Sequence, residues 1–166
     1  AIAAFKRGYY PLAFPQFGVE RRGAPVTAFL RIFNPEEEFF LRCNIYNPDI
    51  VVILDTSLLE MIDVTEGLKV GGKIIINSPK DPKDFNLGGK FEVYTVDATE
   101  IAVKHKLGSR TQPIVNTAIL GALARVSGIF GLEELKSAIE EEVGVKKEEN
   151  IKASEEAFMS VKEEEK

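Results

Sequence analysis

Cysteine and histidine are almost absent from this chain of 166 residues, which contains one of each, Cys43 and His105. A single cysteine cannot form a disulfide within the chain, and its isolation is typical of a protein from a reducing cytoplasm. One cysteine and one histidine also cannot build a metal site or an iron–sulfur cluster without ligands from other chains. Metal or cluster chemistry by this chain alone is therefore not expected.

Two further absences narrow the class of protein. The longest apolar runs, such as residues 50–54, are far too short to span a bilayer, and no signal peptide is visible. The net charge of −5 lacks the basic footprint of a general nucleic-acid-binding domain. With 45% apolar and 28% charged residues, the chain is predicted to be a soluble cytoplasmic protein with neither nucleic acid nor membrane as a partner.

The order of strand and helix patterns predicts an α/β fold. Residues 1–8 have the pattern of a helix end closed by Gly8, and residues 25–32 alternate as a half-buried strand that pairs with 39–43 in an antiparallel hairpin. Further strands are predicted at 50–54, where the continuous β-branched run indicates cover on both faces, and at 73–77 and 92–96. The chain is thus expected to form a mostly parallel sheet with an antiparallel hairpin at one edge.

The second half of the chain is predicted to be mainly helical. The helices are expected at 58–62, at 97–107 with Asp97 and Glu100 as a capping box, at 116–127 with Gly121 as a point of close packing, at 132–143 closed by Gly144, and around Ile151, Phe158 and Val161. Residues 162–166 form a charged, solvated tail that is expected to fray. Together these elements predict one three-layer α/β/α domain over residues 1–166.

In parallel sheets, ligands bind at the carboxyl ends of the strands. Four polar residues follow the predicted strands at this edge: Asp55, Asn77, Ser78 and Asp97. Asp97 is interpreted as a helix cap, and Asp55 either caps the next helix, which we favour, or faces a ligand. His105 falls within a helix beside two lysines and is interpreted as a surface residue. The Gly71–Gly72 and Gly88–Gly89 pairs precede strands, so we interpret them as turns and not as phosphate-binding loops.

Asn116 and Thr117 stand at the start of a strongly helical segment, after an extended approach. This pattern predicts a polar helix cap with free amides, which is a candidate site for an anionic cofactor. A simple capping role is the favoured interpretation. The pair gains weight as a site only if Arg21, Arg22 or a phosphate lies close to it.

Residues 13–27 are too aromatic and too rich in proline and glycine for a helix, and they predict a loop of defined shape. Phe14 and Phe17 can hold this loop on an apolar surface, while Arg21 and Arg22 stand in an otherwise acidic chain. The paired guanidinium groups suit a carboxylate, a phosphate or a partner's backbone. We therefore predict that this loop, through Phe17, Glu20, Arg21 and Arg22, contacts a partner or an active centre.

Several ordered motifs closely resemble the gamma subunit of pyruvate:ferredoxin oxidoreductase and its 2-ketoisovalerate relatives. They are FPQFGVERRGAPV at 14–26, IYNPDIVVILD at 45–55, DVTEGLK at 63–69, VDATEIA at 96–102 and PIVNTAILGA at 113–122. The resemblance covers nearly the whole chain. One feature departs from it, because the family begins with a strand and a glycine-rich loop that lead into the helix ending at Gly8, and this sequence lacks both.

The resemblance implies an accessory subunit of an enzyme that splits pyruvate with coenzyme A to acetyl-CoA and carbon dioxide and passes the electrons to ferredoxin. It implies alpha, beta and delta type partner subunits, which carry thiamine diphosphate and 4Fe-4S clusters, and a gamma subunit that helps to receive coenzyme A. The alternatives are a 2-ketoisovalerate-type subunit, a free-standing α/β domain that binds an anionic small molecule at the strand ends, and a structural scaffold.

Overall fold

The computed structural model of the chain describes residues 1–16, 25–36, 43–87 and 89–164. The elements follow one another as α1 (Ile2–Lys6), β1 (Tyr10–Gln16), β2 (Thr27–Phe33), β3 (Ile50–Ile53), α2 (Leu58–Met61), β4 (Lys73–Asn77), a 3-10 turn (Pro82–Asp84), β5 (Glu92–Val96), α3 (Ala98–Lys104), α4 (Ile119–Ser127), α5 (Leu132–Glu142), α6 (Lys147–Met159) and β6 (Lys162–Glu163).

The strands of the described residues form two sheets. In the larger sheet the order is β3-β4-β5-β6, with β3, β4 and β5 parallel and β6 antiparallel to β5. The smaller sheet consists of β1 and β2, which pair in antiparallel fashion. The predicted α/β class, with a mostly parallel sheet and an antiparallel hairpin, is confirmed.

Strand β4 lies at the centre of the core because three successive isoleucines fill both faces of the sheet. Ile75 packs with Val96 against the long helices, among the alanines of α4 and α6. Ile74 and Ile76 face the opposite side, where α2 and the connecting segments supply Leu58, Leu68 and Phe85. The sheet is thus covered by a thick helical layer on one face and by a thin layer of short elements on the other.

Strand β3 is less covered than the sequence predicts. Its β-branched run indicates cover on both faces, yet Val52 is 36% exposed and Leu54, just after the strand, is 45% exposed. Within the described part of the chain β3 is the edge strand of the larger sheet, so only Ile53 is fully enclosed. The prediction of a doubly covered strand is correct for β4 and wrong for β3.

The smaller sheet differs from the predicted hairpin. Residues 25–32 do form a strand, but its partner is β1, with Gln16 opposite Thr27 and Phe14 opposite Phe29. Residues 13–16 are predicted to lie in a loop, but they belong to β1 because they pair with β2. Pro11 and Pro15 are tolerated in β1 because it is an edge strand of a two-stranded sheet. The expected partner strand at 39–43 lies outside the described residues except for Cys43, which is in no strand.

The ends of three helices can be compared with the ends that the sequence predicts. Gly8 is left-handed, with φ of 96°, as expected for a helix cap. Gly144 is not, so its predicted capping role is wrong, and α5 ends instead in the extended backbone of Val143. Helix α3 stops at Lys104, three residues early, because Lys106 takes a left-handed φ of 57° and the backbone N–H of Leu107 donates to the carbonyl of Ala102.

The predicted fraying tail is partly a strand. Lys162 and Glu163 are exposed, as expected of a charged tail, but they pair with Thr95 and Tyr94 of β5. The ammonium group of Lys162 also donates to the Pro79 carbonyl and to the Asp81 carboxylate, each at 3.0 Å. Backbone pairing and these two contacts therefore hold the segment as the antiparallel edge of the sheet.

Helices α4 and α6 pack in direct backbone contact at Gly121, as the sequence predicts. A β-carbon added to Gly121 would overlap the carbonyl oxygen of Ser154 and crowd the backbone nitrogen of Phe158. Ser154 itself is fully buried, and its hydroxyl donates to the Ile151 carbonyl at 2.8 Å. Neither partner atom belongs to a flexible side chain, so the helices must separate to admit any larger residue.

Replacing Gly121 with alanine is expected to lower the free energy of unfolding by about 1–3 kcal/mol or more, because an overpacked core must shift its backbone. Gly121→Leu should cost more. The matched control is Gly144→Ala, since Gly144 has no neighbour within 4 Å of an added β-carbon and lacks a positive φ. Chemical denaturation of the three variants measures the difference, and equal stability of Gly121→Ala and the parent would contradict the packing.

Candidate functional site

Asn77 lies at the carboxyl end of β4, where the sequence places a ligand, but its side chain joins three elements of the fold. Its amide nitrogen donates to the Leu54 carbonyl at 3.0 Å and to the Thr99 hydroxyl at 2.9 Å. Its amide oxygen accepts from the backbone N–H of Thr99 at 3.2 Å. Asn77 is only 9% exposed, so it locks the ends of β3 and β4 to the start of α3.

The other strand-end residues are also engaged by the backbone around them. Asp97 accepts from the backbone N–H of Glu100 at 2.9 Å, which confirms it as the cap of α3. Asp55 does not cap α2, whose cap residue is Ser57, so the favoured capping interpretation is wrong; its carboxylate instead accepts from the backbone N–H of Ser57 at 2.9 Å, which lowers the pKa of that carboxyl. The hydroxyl oxygen of Ser78 accepts from the backbone N–H of Lys80 at 3.2 Å. These four strand-end side chains hold the sheet edge together.

Asn116 and Thr117 precede α4, whose C-terminal end is joined to the sheet. The ammonium group of Lys73, at the amino end of β4, donates to the Val126 carbonyl near the C-terminus of α4 at 2.7 Å. This bond holds the C-terminal end of α4 near the amino end of β4, while Asn116 and Thr117 stand before its N-terminus.

The geometry before α4 corrects one expectation. The helix begins at Ile119 with Ala118 as its cap residue, and Asn116 does not cap it but accepts from the backbone N–H of Thr117 at 3.0 Å. The amides of Ile119, Leu120 and Gly121 are not free, since they donate to backbone carbonyls of the preceding turn. The amide nitrogen of Asn116 and the hydroxyl of Thr117 form no hydrogen bond within the described residues.

The arginine segment lies outside the described residues, and so do Phe17, Glu20, Arg21 and Arg22. The described strands on either side of it are held firmly. Gln16 pairs with Thr27, and the rings of Phe14 and Phe29 lie 5.3 Å apart in a tilted arrangement. The pairing of β1 and β2 therefore brings the two ends of this segment together.

His105 is not the surface residue that the sequence predicts. Its side chain is 17% exposed, and its Nε2 lies 2.7 Å from the carboxylate of Glu156 on α6. Lys104 donates to the other oxygen of the same carboxylate at 2.7 Å. The Lys104 hydrogen bond lowers the pKa of Glu156, burial opposes that shift, and His105 adds to it. This cluster joins α3 to α6, which gives His105 a structural role.

The donor set of the described residues does not fit thiamine diphosphate or an iron–sulfur cluster. No group of three or more histidine, cysteine, aspartate or glutamate side chains comes together in this part of the chain to hold a metal ion. Cys43 is exposed and is the only thiol in the sequence. The carboxylates of Asp55 and Asp97 already accept backbone hydrogen bonds, so no step of thiamine or cluster chemistry is assigned to these residues.

In the part of the chain that the structure describes, no helix has the length and hydrophobicity required to cross a membrane.

These observations define an α/β domain in which the strand-end polar groups hold the fold and the unbonded donors of Asn116 and Thr117 stand before α4. The profile of the pyruvate ferredoxin/flavodoxin oxidoreductase family matches residues 1–160. The chain belongs to this family.

Individual relatives agree with the family assignment. The chain is 50% identical over 164 residues to the pyruvate/ketoisovalerate oxidoreductases common subunit gamma of Thermococcus kodakarensis, covering 95% of this chain and 84% of that one. It is 50% identical over 159 residues to the pyruvate synthase subunit PorC of Methanocaldococcus jannaschii, with the same coverage. Both relatives are subunits by name, and neither match is confined to one motif.

A solved structure confirms the fold. The pyruvate oxidoreductase subunit PORC of Thermotoga maritima superimposes with a TM-score of 0.80 at 34% identity, covering 99% of this chain and 87% of that one. The resemblance stated from the sequence motifs is therefore confirmed at the level of the family and the fold.

Proposed function

We propose that this chain is the gamma subunit of a multi-subunit pyruvate:ferredoxin oxidoreductase. That enzyme splits pyruvate oxidatively with coenzyme A to acetyl-CoA and carbon dioxide and passes the electrons to ferredoxin. The observation that carries the proposal is the 50% identity, over 95% of this chain, to subunits named for pyruvate synthase and for pyruvate/ketoisovalerate oxidoreductases. Identity of this extent in a family of oxidoreductases supports the same assembly.

The proposal includes a division of labour among subunits. Thiamine diphosphate and the 4Fe-4S clusters belong to the alpha, beta and delta type partners, which also deliver electrons to ferredoxin. This division is supported by the names of the relatives, each of which is one subunit of a larger enzyme. The contribution of this chain is to shape the assembly and to help receive coenzyme A.

Within that role, Asn116 and Thr117 are proposed to contact coenzyme A. Their side chains offer an amide N–H and a hydroxyl that form no hydrogen bond inside the described fold, at the positive end of the α4 dipole. Phosphate oxygens of the coenzyme are acceptors for both groups. The strand-end residues Asp55 and Asn77 are not assigned to this contact, because the fold already uses them.

We propose that one segment contacts a partner subunit or the active centre of the assembled enzyme. This segment contains Phe17, Glu20, Arg21 and Arg22. Planar guanidinium groups bind carboxylates and phosphates in bidentate fashion. The pairing of Gln16 with Thr27 supports this role, since it fixes where the segment leaves and rejoins the domain.

A second candidate function is a shared role in 2-ketoisovalerate oxidation. It is favoured by the name of the Thermococcus kodakarensis relative, a common subunit of pyruvate and ketoisovalerate oxidoreductases. In that case the same gamma subunit assembles with two different sets of catalytic partners, and the partners determine the 2-oxoacid.

The purified chain is expected to show no pyruvate-dependent reduction of a redox dye, because it lacks thiamine and cluster ligands. Addition of the alpha, beta and delta type subunits should restore reduction that depends on both pyruvate and coenzyme A. Running pyruvate and 2-ketoisovalerate in parallel separates the two candidate functions. Turnover by the isolated chain, or full activity of the partners without it, would contradict the proposed role.

Asn116→Asp is expected to raise the apparent KM for coenzyme A in the assembled enzyme by about threefold to tenfold, which corresponds to roughly 1 kcal/mol of repulsion between two like charges about 4 Å apart in water. Aspartate keeps the oxygen that accepts from Thr117, so folding is preserved while the phosphate is repelled. Asn116→Ala should have a smaller effect. If both variants match the parent, coenzyme A does not contact this turn.

Arg22→Lys is expected to weaken subunit assembly or raise the apparent KM for coenzyme A, and Arg22→Ala should do so more, by up to about 2–5 kcal/mol. Lysine keeps the charge and loses the planar fork, so the pair of variants separates charge from geometry. Thermal unfolding of the isolated chain is the control and should change by less than about 0.5 kcal/mol. Unfolding of either variant would show that Arg22 is structural.

A further inference from the structure

A basic groove runs beside the C-terminal half of α3, in a chain whose net charge is −5. Its volume is about 430 Å³, and its lining includes Glu100, Val103, Lys104, Lys106, Ser109 and Arg110. Three of these side chains are cations and one is an anion. A local excess of positive charge on an acidic protein creates a field that attracts acidic groups.

Two of the three cations have no counter-ion among the residues that the structure describes. Lys104 is engaged, since its ammonium lies 2.7 Å from the Glu156 carboxylate. Lys106 and Arg110 form neither a salt bridge nor a side-chain hydrogen bond within the described ranges, and both are exposed. Their charges are therefore available to an external group.

Lys106 is held in a fixed position by the end of α3. It is the left-handed residue after the helix, at φ of 57°, where glycine is ordinarily preferred. Its carbonyl oxygen accepts from the ammonium group of Lys146, which itself precedes α6. The backbone that presents the Lys106 side chain is thus fixed by α3 and by the start of α6.

Arg110 is presented by a tight turn. The backbone N–H of Ser109 donates to the Gln112 carbonyl at 3.1 Å, and the N–H of Gln112 donates back to Ser109 at 3.2 Å. Gly108 pairs with Pro113 below the turn, and a β-carbon on Gly108 would overlap the Gln112 carbonyl. The guanidinium group therefore stands at the tip of a short, well-braced loop.

A free small anion has little to gain in this groove. Both available cations are exposed to water, and surface ion pairs contribute little when the partner stays hydrated. Glu100 on the lining also opposes a multiply charged phosphate. A polypeptide segment can cover Val103 and the aliphatic stems of the lysines, exclude water and so strengthen each ion pair.

We propose that this groove docks an acidic segment of another subunit of the oxidoreductase, with carboxylates facing Lys106 and Arg110 and a neutral or basic group facing Glu100. The inference rests on the proposed function as a subunit. It concerns the C-terminal end of α3, opposite the end that Asp97 caps.

The test is reconstitution of the complex from this chain and its partner subunits, with association measured across a range of potassium chloride. The Lys106→Glu, Arg110→Glu double variant should associate at least about tenfold more weakly at low salt. Its association should also depend less steeply on salt than that of the parent. The matched control is Lys83→Glu with Lys90→Glu, which makes the same change in net charge at two exposed lysines elsewhere.

The outcomes separate this inference from the proposed function. If the parent chain assembles and both double variants weaken it equally, only net charge matters and the docking groove is overturned. If the groove variant assembles like the parent while inorganic pyrophosphate shifts the amide resonances of Ser109 and Arg110, the groove takes a small anion and the docking inference is likewise overturned. If the parent chain itself fails to assemble with the partner subunits, the proposed function is overturned, and so is the docking inference that rests on it.

Discussion

The backbone contact between α4 and α6 at Gly121 is the constraint on which the helical layer depends. Helix α4 packs against both the sheet and α6, and the absence of a side chain at Gly121 lets the Ser154 carbonyl approach it directly. The Lys73 ammonium fixes the other end of α4 to β4. With its middle and its C-terminus held, the position of its N-terminus, and so of Asn116 and Thr117, follows from the packing.

The same logic explains why the strand-end residues hold the fold. A parallel sheet brings the carboxyl ends of its strands together, where helices begin and loops cross, and these backbone groups need partners. Asn77 satisfies the Leu54 carbonyl and the Thr99 amide, and Asp55 and Asp97 satisfy amides in the turns that follow. A polar residue at this edge is therefore evidence for a site only when its own hydrogen bonds are not already formed within the fold.

The sequence predicted β4, β5, the Asp97 cap and the Gly121 contact correctly, because each depends on a local pattern. It failed where a distant partner decides the outcome. Strand β1 forms because its proline-containing segment pairs with β2, and residues 162–163 of the tail form a strand because they pair with β5. His105 is half-buried because its ring contacts Glu156, 51 residues further along the chain. The family was recognisable from ordered motifs, whereas the spare donors of Asn116 and Thr117 became visible only in the structure.

The role proposed for this subunit is exerted through the surfaces it presents, and those surfaces differ in how they are held. The arginine segment is joined to the domain by paired strands, while Lys106 and Arg110 are fixed by a helix end and a tight turn. Cations presented from a fixed backbone lose little loop freedom on binding, so the main conformational cost of each ion pair is the rotamer freedom of its own side chain. Because the chain as a whole is acidic, cations at one surface also orient an approaching acidic partner, which the negative net charge alone would not do.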